Sequence, residues 1–291
     1  MELLFLLIVD GMFLGCLYAI SAFGFVIIYR STGVFNFAHG GFVAIGAFSF
    51  LMLACWAKLP LFLALILTLL GSFGFGYLVE YVTLRPLAGK PIIYPIILTV
   101  GLAVILKGFL TLMTNMGNCY TLDFPTKFTL QWTNLNAPYS VLSIFIIMLI
   151  LLITIALFIK FSSFGIFMRA AADNRSAAFS LGVNVKEMFS FSWALAAVLA
   201  SMGGIGLAII KGLTLYEIIS WTGLKVFAVV IIGGLHSISG VIFGGIIIGL
   251  IETLTGTYIS TSLGEMSPYF CMVLFLFFRP YGLFMKQPNI S

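Results

Sequence analysis

Apolar runs long enough, or nearly so, to cross a bilayer fill most of this chain, and they leave it few folds to choose from. There are nine, at approximately residues 3–29, 41–57, 61–84, 92–114, 140–159, 188–210, 221–234, 241–257 and 268–278. A bilayer takes about 20 helical residues per crossing, so the chain reads as an all-α polytopic membrane protein. Residues 1–291 form a single transmembrane domain of eight or nine passes, with helix breaks in both halves. The seventh run is short; as a re-entrant segment it lowers the count from nine to eight. Charged residues are only 8% of the chain and hydrophobic ones 62%, against about 25% charged in soluble domains. So apolar a surface excludes a soluble fold. The net charge of +5 then reflects basic loops on one side of a membrane and not a nucleic-acid partner. The start, MELLFLLIVDG, has no basic segment and carries Asp10, which reads as a retained first helix, not a cleaved signal.

Orientation follows from one polar block at about 160–187, flanked by apolar runs on both sides. It holds Lys160, Arg169, Arg175 and Lys186 against Asp173 and Glu187. Placing it in the cytoplasm puts nine basic residues inside and leaves only Lys58, Lys127 and Lys211 outside. The amino terminus is then external and the carboxyl terminus internal. The block also carries the marks of a folded element. Asp173 or Asn174 can cap a short helix beginning near Arg175, and Gly182 can end it after Leu181. Asn184, with Glu187 three residues on, marks the start of the next membrane helix. A linker needs none of this.

Two stretches break the apolar pattern, Gly33-Val-Phe-Asn-Phe-Ala-His-Gly-Gly41 and Gly233-Gly-Leu-His-Ser-Ile-Ser-Gly240. Paired Gly-interrupted segments in the two halves of a transporter often mark discontinuous helices near a substrate path, which points to Asn36 and His39. Two tight turns would look the same. Gly240, Gly244 or Gly245, and Gly249 lie on one helix face, where close packing is their expected role. Ionisable groups inside the membrane need partners. Glu252 sits deep in the eighth run and Lys225 in the seventh, and a mutual ion pair would lower the cost of both. Lys107 reads as reaching the headgroups on its long stem. The only Gly-Lys pair, Gly89-Lys90, precedes Pro91 and lacks the upstream glycine of a phosphate loop. With no zinc spacing, serine elbow or Cys–His arrangement either, no enzyme is expected.

Three stretches together resemble a known family. They are Tyr18–Phe25 with Thr32–Gly41, Arg169–Val183, and Gly223–Gly240 running on to Glu252. Nearly the whole chain looks like the permease subunits of branched-chain amino acid importers of the ATP-binding-cassette class. The resemblance implies a second, related permease subunit, two cytoplasmic ATPase subunits and an external solute-binding protein. ATP and Mg would bind those ATPases, with no cofactor in this chain, and the setting would be a bacterial inner membrane. It also implies that the Arg169–Val183 block docks on an ATPase, with Arg169, Asp173, Arg175, Gly182 and Lys186 as its candidate residues. Asn36, His39, Lys225 and Glu252 are the candidates for the substrate path. His236 stands where the family commonly has glycine, so the resemblance implies no role for it. Urea and short-amide importers share these motifs, and a stand-alone secondary transporter or channel, with Glu252 or a histidine carrying protons, is the rival class.

Overall fold

The computed structural model describes residues 2–87, 89–113, 139–211, 223–279 and 282–283. The expected external loop and the last residues of the chain lie outside that range. Eleven α-helices are described: α1 (Glu2–Thr32), α2 (His39–Leu51), α3 (Leu61–Val79), α4 (Ile93–Met113), α5 (Tyr139–Phe161), α6 (Ser163–Asp173), α7 (Arg175–Ser180), α8 (Val185–Lys211), α9 (Gly223–Gly233), α10 (Ile238–Tyr258) and α11 (Thr261–Phe278). A π-helical turn, Met52–Trp56, extends α2, and another, Glu80–Leu84, extends α3.

Among the described residues seven helices are long and apolar enough to cross a membrane, and an eighth span results if α5 and α6, bent by 71° at Ser162, count as one. The expected eight passes are reached when that bent pair counts as one span, and nine are not reached among the described residues. The seventh run is not among these spans; its described helix, α9, has 11 residues. The ninth run grows instead. α11 begins at Thr261, because Ser260 caps its first turn by accepting from Leu263 N–H at 3.2 Å. Pro268 sits inside α11 and cannot donate to the Gly264 carbonyl. The Ser267 hydroxyl donates to that carbonyl at 2.7 Å in its place.

α8 is the axis of the bundle, nearly all of it buried, with α1, α2 and α3 packed around it. Its sequence explains the position. Ser190, Ser192, Ala196, Ala197, Ala200, Ser201, Gly203 and Gly204 keep its surface low, so neighbours come close. A side chain at Gly204 would strike the Val43 carbonyl of α2. α1 crosses α10 in the same way: Gly11 and Gly15 meet Gly245 and Gly249 backbone to backbone. Gly244 and Gly240 turn the other way, toward α9. The glycines have the packing role expected of them, but on two faces of α10 and not on the one face expected. α4 and α11 by contrast expose most of their large apolar side chains, as lipid-facing helices do.

The two breaks differ in kind. α1 ends where Gly33 adopts a left-handed conformation (φ +70°), its N–H bonded to the Tyr29 carbonyl at 2.8 Å. The chain then doubles back beside α1. His39, the first residue of α2, bonds through Nε2 to the carbonyl of Ser21 at 2.8 Å. Ser21 precedes the end of α1 by eleven residues, about 16 Å along its axis, so α2 starts beside the interior of that membrane-length helix and not at its end. The second break stays level with the end of α1, where His236 packs on Tyr29. One break is a re-entrant helix start and the other is a turn.

Candidate functional site

Four elements meet where α2 begins. Asn36, Phe37, His39, Gly40 and Gly41 form one wall of a cleft of about 250 Å³, with Phe25 of α1, Val104 and Lys107 of α4, and Leu224 and Phe227 of α9. Gly223, at the start of α9, lies directly against Gly40, and neither carries a side chain that would close the gap. The Phe25 ring stands edge-on to Phe35, His39 and Phe227 at centroid distances of 6.2, 5.7 and 5.9 Å. Inside this aromatic cage the polar groups are few. The Asn36 Oδ1 accepts from Ala38 N–H at 3.0 Å and so shapes the turn into α2. Thr99 of α4 accepts from the Phe37 N–H at 3.4 Å, and its hydroxyl lies 2.8 Å from the Ile96 carbonyl and 3.1 Å from that of Phe35, tying the re-entrant segment to α4. Asn36 and His39 both line this cleft. Lys107, expected at the headgroups, is exposed and lines the same cleft. Its contribution was hidden in the sequence, because nothing local ties α4 to residues 35–41.

Lys225 and Glu252 do not line that cleft. Leu224 and Phe227 face it, while Lys225 turns to the other side of α9. There its Nζ donates to Glu252 Oε1 at 3.0 Å, with the two side chains 7% and 4% exposed. The Tyr18 hydroxyl of α1 donates to Glu252 Oε2 at 2.9 Å. One carboxylate of α10 therefore holds α1 and α9 at once. The expected ion pair exists; Tyr18, the third member, lay 234 residues from Glu252 and no spacing rule could have found it.

The polar block folds into α6 and α7. Ser162 caps α6 by accepting from Gly165 N–H at 3.2 Å. The Arg169 guanidinium donates to the carbonyls of Ile159 and Lys160 at 2.9 and 3.5 Å, covering the free C-terminal end of α5 and fixing the bend. Of the two proposed caps of the short helix, Asn174 is used: its side chain accepts from Ala177 N–H at 3.0 Å. α7 ends at Gly182 (φ +83°), and Gly182 N–H bonds to the Phe179 carbonyl at 2.9 Å. Asn184 accepts from Glu187 N–H at 3.3 Å to open α8. Glu187 in turn pairs with Arg85 at 3.1 Å and accepts from the Tyr77 hydroxyl at 2.9 Å, which anchors the block to the end of α3. Lys186 stays exposed, and the side chains of Asp173 and Arg175 lie outside the described residues. On α7 and its end, Phe179 and Leu181 are 74% and 83% exposed. Sequence reasoning stressed charge here and missed these two apolar side chains.

His236 lies in the turn between α9 and α10, its ring 5.2 Å from that of Tyr29. Partial burial, and then the charge of Arg30, hold its pKa below the ordinary value of 6.5. The folded protein binds this proton less readily than the unfolded chain does. The effect vanishes above pH 6.5 and costs stability as the pH falls below it. We expect His236→Gln to blunt the drop in thermal stability between roughly pH 7 and pH 5. Equal drops in the two proteins would remove the histidine from the cause.

The family described as the permease component of branched-chain amino acid transport systems matches residues 7–278. The high-affinity branched-chain amino acid transport system permease protein LivH of Escherichia coli (strain K12) is 27% identical, over 97% of this chain and 95% of its own length. BraD of Pseudomonas aeruginosa, with the same description, is 26% identical over 98% and 96%. A probable branched-chain amino acid permease of Methanocaldococcus jannaschii, also LivH, is 29% identical over 92% and 88%. No solved structure matches.

Proposed function

The chain belongs to the permease-component family of branched-chain amino acid transport systems, and from that premise we propose how it works within an ATP-binding-cassette importer. It forms part of the membrane path for leucine, isoleucine or valine, alternating between outward and inward access. Its relatives carry that solute class in their descriptions, which favours it over urea or short amides. A second, related permease subunit completes the path. Two ATPase subunits bind ATP and Mg and hydrolyse the nucleotide, and an external solute-binding protein delivers the solute. The amino terminus lies outside and the carboxyl terminus inside an inner membrane.

The observation that carries this reading is α7, a six-residue helix fixed at both ends and presenting Phe179 and Leu181 to solvent. A secondary transporter or channel has no need of such a knob. On the ATPase it would fill a groove, with Arg175 and Lys186 adding charge contacts and Asp173 and Gly182 shaping the helix ends. Arg169 acts through the α5–α6 bend, so that movement of the ATPases is passed to the membrane helices. Asn36 and His39 line the solute path. Lys225 and Glu252 stand behind its wall and hold α9 in register with α1 and α10.

Radiolabelled uptake in vesicles containing the full complex, with leucine and urea each offered through its own binding protein, tests the solute. We expect leucine to enter. Urea uptake without leucine uptake would sink the amino-acid assignment and leave the importer architecture standing.

A further inference from the structure

α2 begins without a side-chain cap; its N-cap residue is Ala38. The backbone N–H groups of Gly40 and Gly41 have no hydrogen-bond partner among the described residues, and both glycines line the cleft. A helix start in this state offers free donors and a partial positive charge, here in a low-dielectric setting that strengthens both. A second observation is independent of the helix. Asn36 is 1% exposed, and because its Oδ1 is taken by Ala38 N–H, its Nδ2 is the free end. That Nδ2 has no partner among the described residues. A buried amide donor without a partner is costly, and such a group beside a cleft points to a ligand that supplies the acceptor.

His39 complements it. Its Nε2 faces the Ser21 carbonyl, which can only accept, so Nε2 carries the proton and Nδ1 of the neutral ring holds a lone pair. Nδ1 is buried and without a partner too. The cleft therefore sets three donors against one acceptor, inside walls of phenylalanine. Lys107 lines it as well.

We propose that the carboxylate of an amino acid docks at the start of α2, on the N–H groups of Gly40 and Gly41 and on Asn36 Nδ2. The ammonium group then faces His39 Nδ1, and a branched apolar side chain lies among Phe25, Phe35 and Phe227. This rests on reading the re-entrant break as the solute path and adds to it which end of the solute goes where. No full negative charge meets the ammonium, so binding is weak, as suits a carrier that must release its solute.

The test uses the assembled complex in nanodiscs, with saturation-transfer NMR on two probes: isocaproate, which has the carboxylate and branched chain, and isopentylamine, which has the amine. The wild type should bind isocaproate in competition with leucine. Asn36→Asp keeps an acceptor for Ala38 N–H but exchanges the free donor for an oxygen. It should weaken isocaproate binding about tenfold or more, spare isopentylamine, and lower leucine uptake in step. Lost uptake with isocaproate binding unchanged would overturn the carboxylate assignment while leaving the solute path in place. Wild-type uptake in this variant would overturn both. If Asn36→Asp does not assemble, Asn36→Ser, which also keeps an acceptor for Ala38, gives the same two readings.

Discussion

Glu252→Ala should cost the folded permease about 3–5 kcal/mol, enough to leave little assembled complex. The substitution strands the Lys225 ammonium and the Tyr18 hydroxyl, both buried and both directed at the missing carboxylate. A stranded buried charge is penalised far more than a lost contact. Purified yield and thermal unfolding of the complex measure the loss. Replacing both charges, Lys225→Met with Glu252→Leu, should recover the part of it that comes from the stranded ammonium, because an apolar pair of similar size needs no partner, while the Tyr18 hydroxyl stays without its acceptor. That double variant also separates two roles. Lys225 turns away from the cleft that Leu224 and Phe227 line, so the assembled double variant should carry leucine. If it assembles and does not transport, the pair belongs to the solute path itself.

That ion pair was legible in the sequence because the membrane makes it so: two charges on successive apolar runs each need relief, and each is the other's nearest candidate. The ends of α7 were legible for a different reason. Caps act over three or four residues, so Asn174, Gly182 and Asn184 announce themselves without any knowledge of the fold. The cleft was only half visible. Asn36 and His39 stood out beside a break, but Lys107 and Phe227 join them through contacts spanning most of the chain, which no local pattern encodes. Depth was not legible either. The two glycine breaks read alike, yet only the first re-enters, because the His39 side chain finds a carbonyl of α1 far above the turn. The count of crossings was legible only to within one for a related reason: apolarity marks what can sit in a membrane, and the described part of α9 is a short apolar helix of 11 residues. α6 was hidden because a single residue, Ser162, separates it from α5, and it carries only two charged residues, Arg169 and Asp173.

Gly182→Val should uncouple ATP hydrolysis from uptake. Gly182 closes α7 at φ +83°, a region that a β-branched residue enters only under strain. The strain would be relieved by unwinding the last turn of α7, and that turn carries Phe179 and Leu181. A helix of six residues has no interior to hold its shape once an end is lost. The membrane helices should be unaffected, since a Cβ at Gly182 meets no other atom within 4 Å among the described residues. Loss of even ~1.4 kcal/mol at the docking contact would shift its equilibrium about tenfold, so uptake should fall by about that much or more. Hydrolysis by the ATPase subunits should persist but no longer respond to the loaded binding protein. Asparagine tolerates this backbone conformation, so Gly182→Asn should stay close to wild type, which separates backbone strain from the mere loss of a glycine. Arg175→Glu should also uncouple, through charge and with the helix intact. Normal leucine uptake by Gly182→Val at normal expression would show that α7 does not dock.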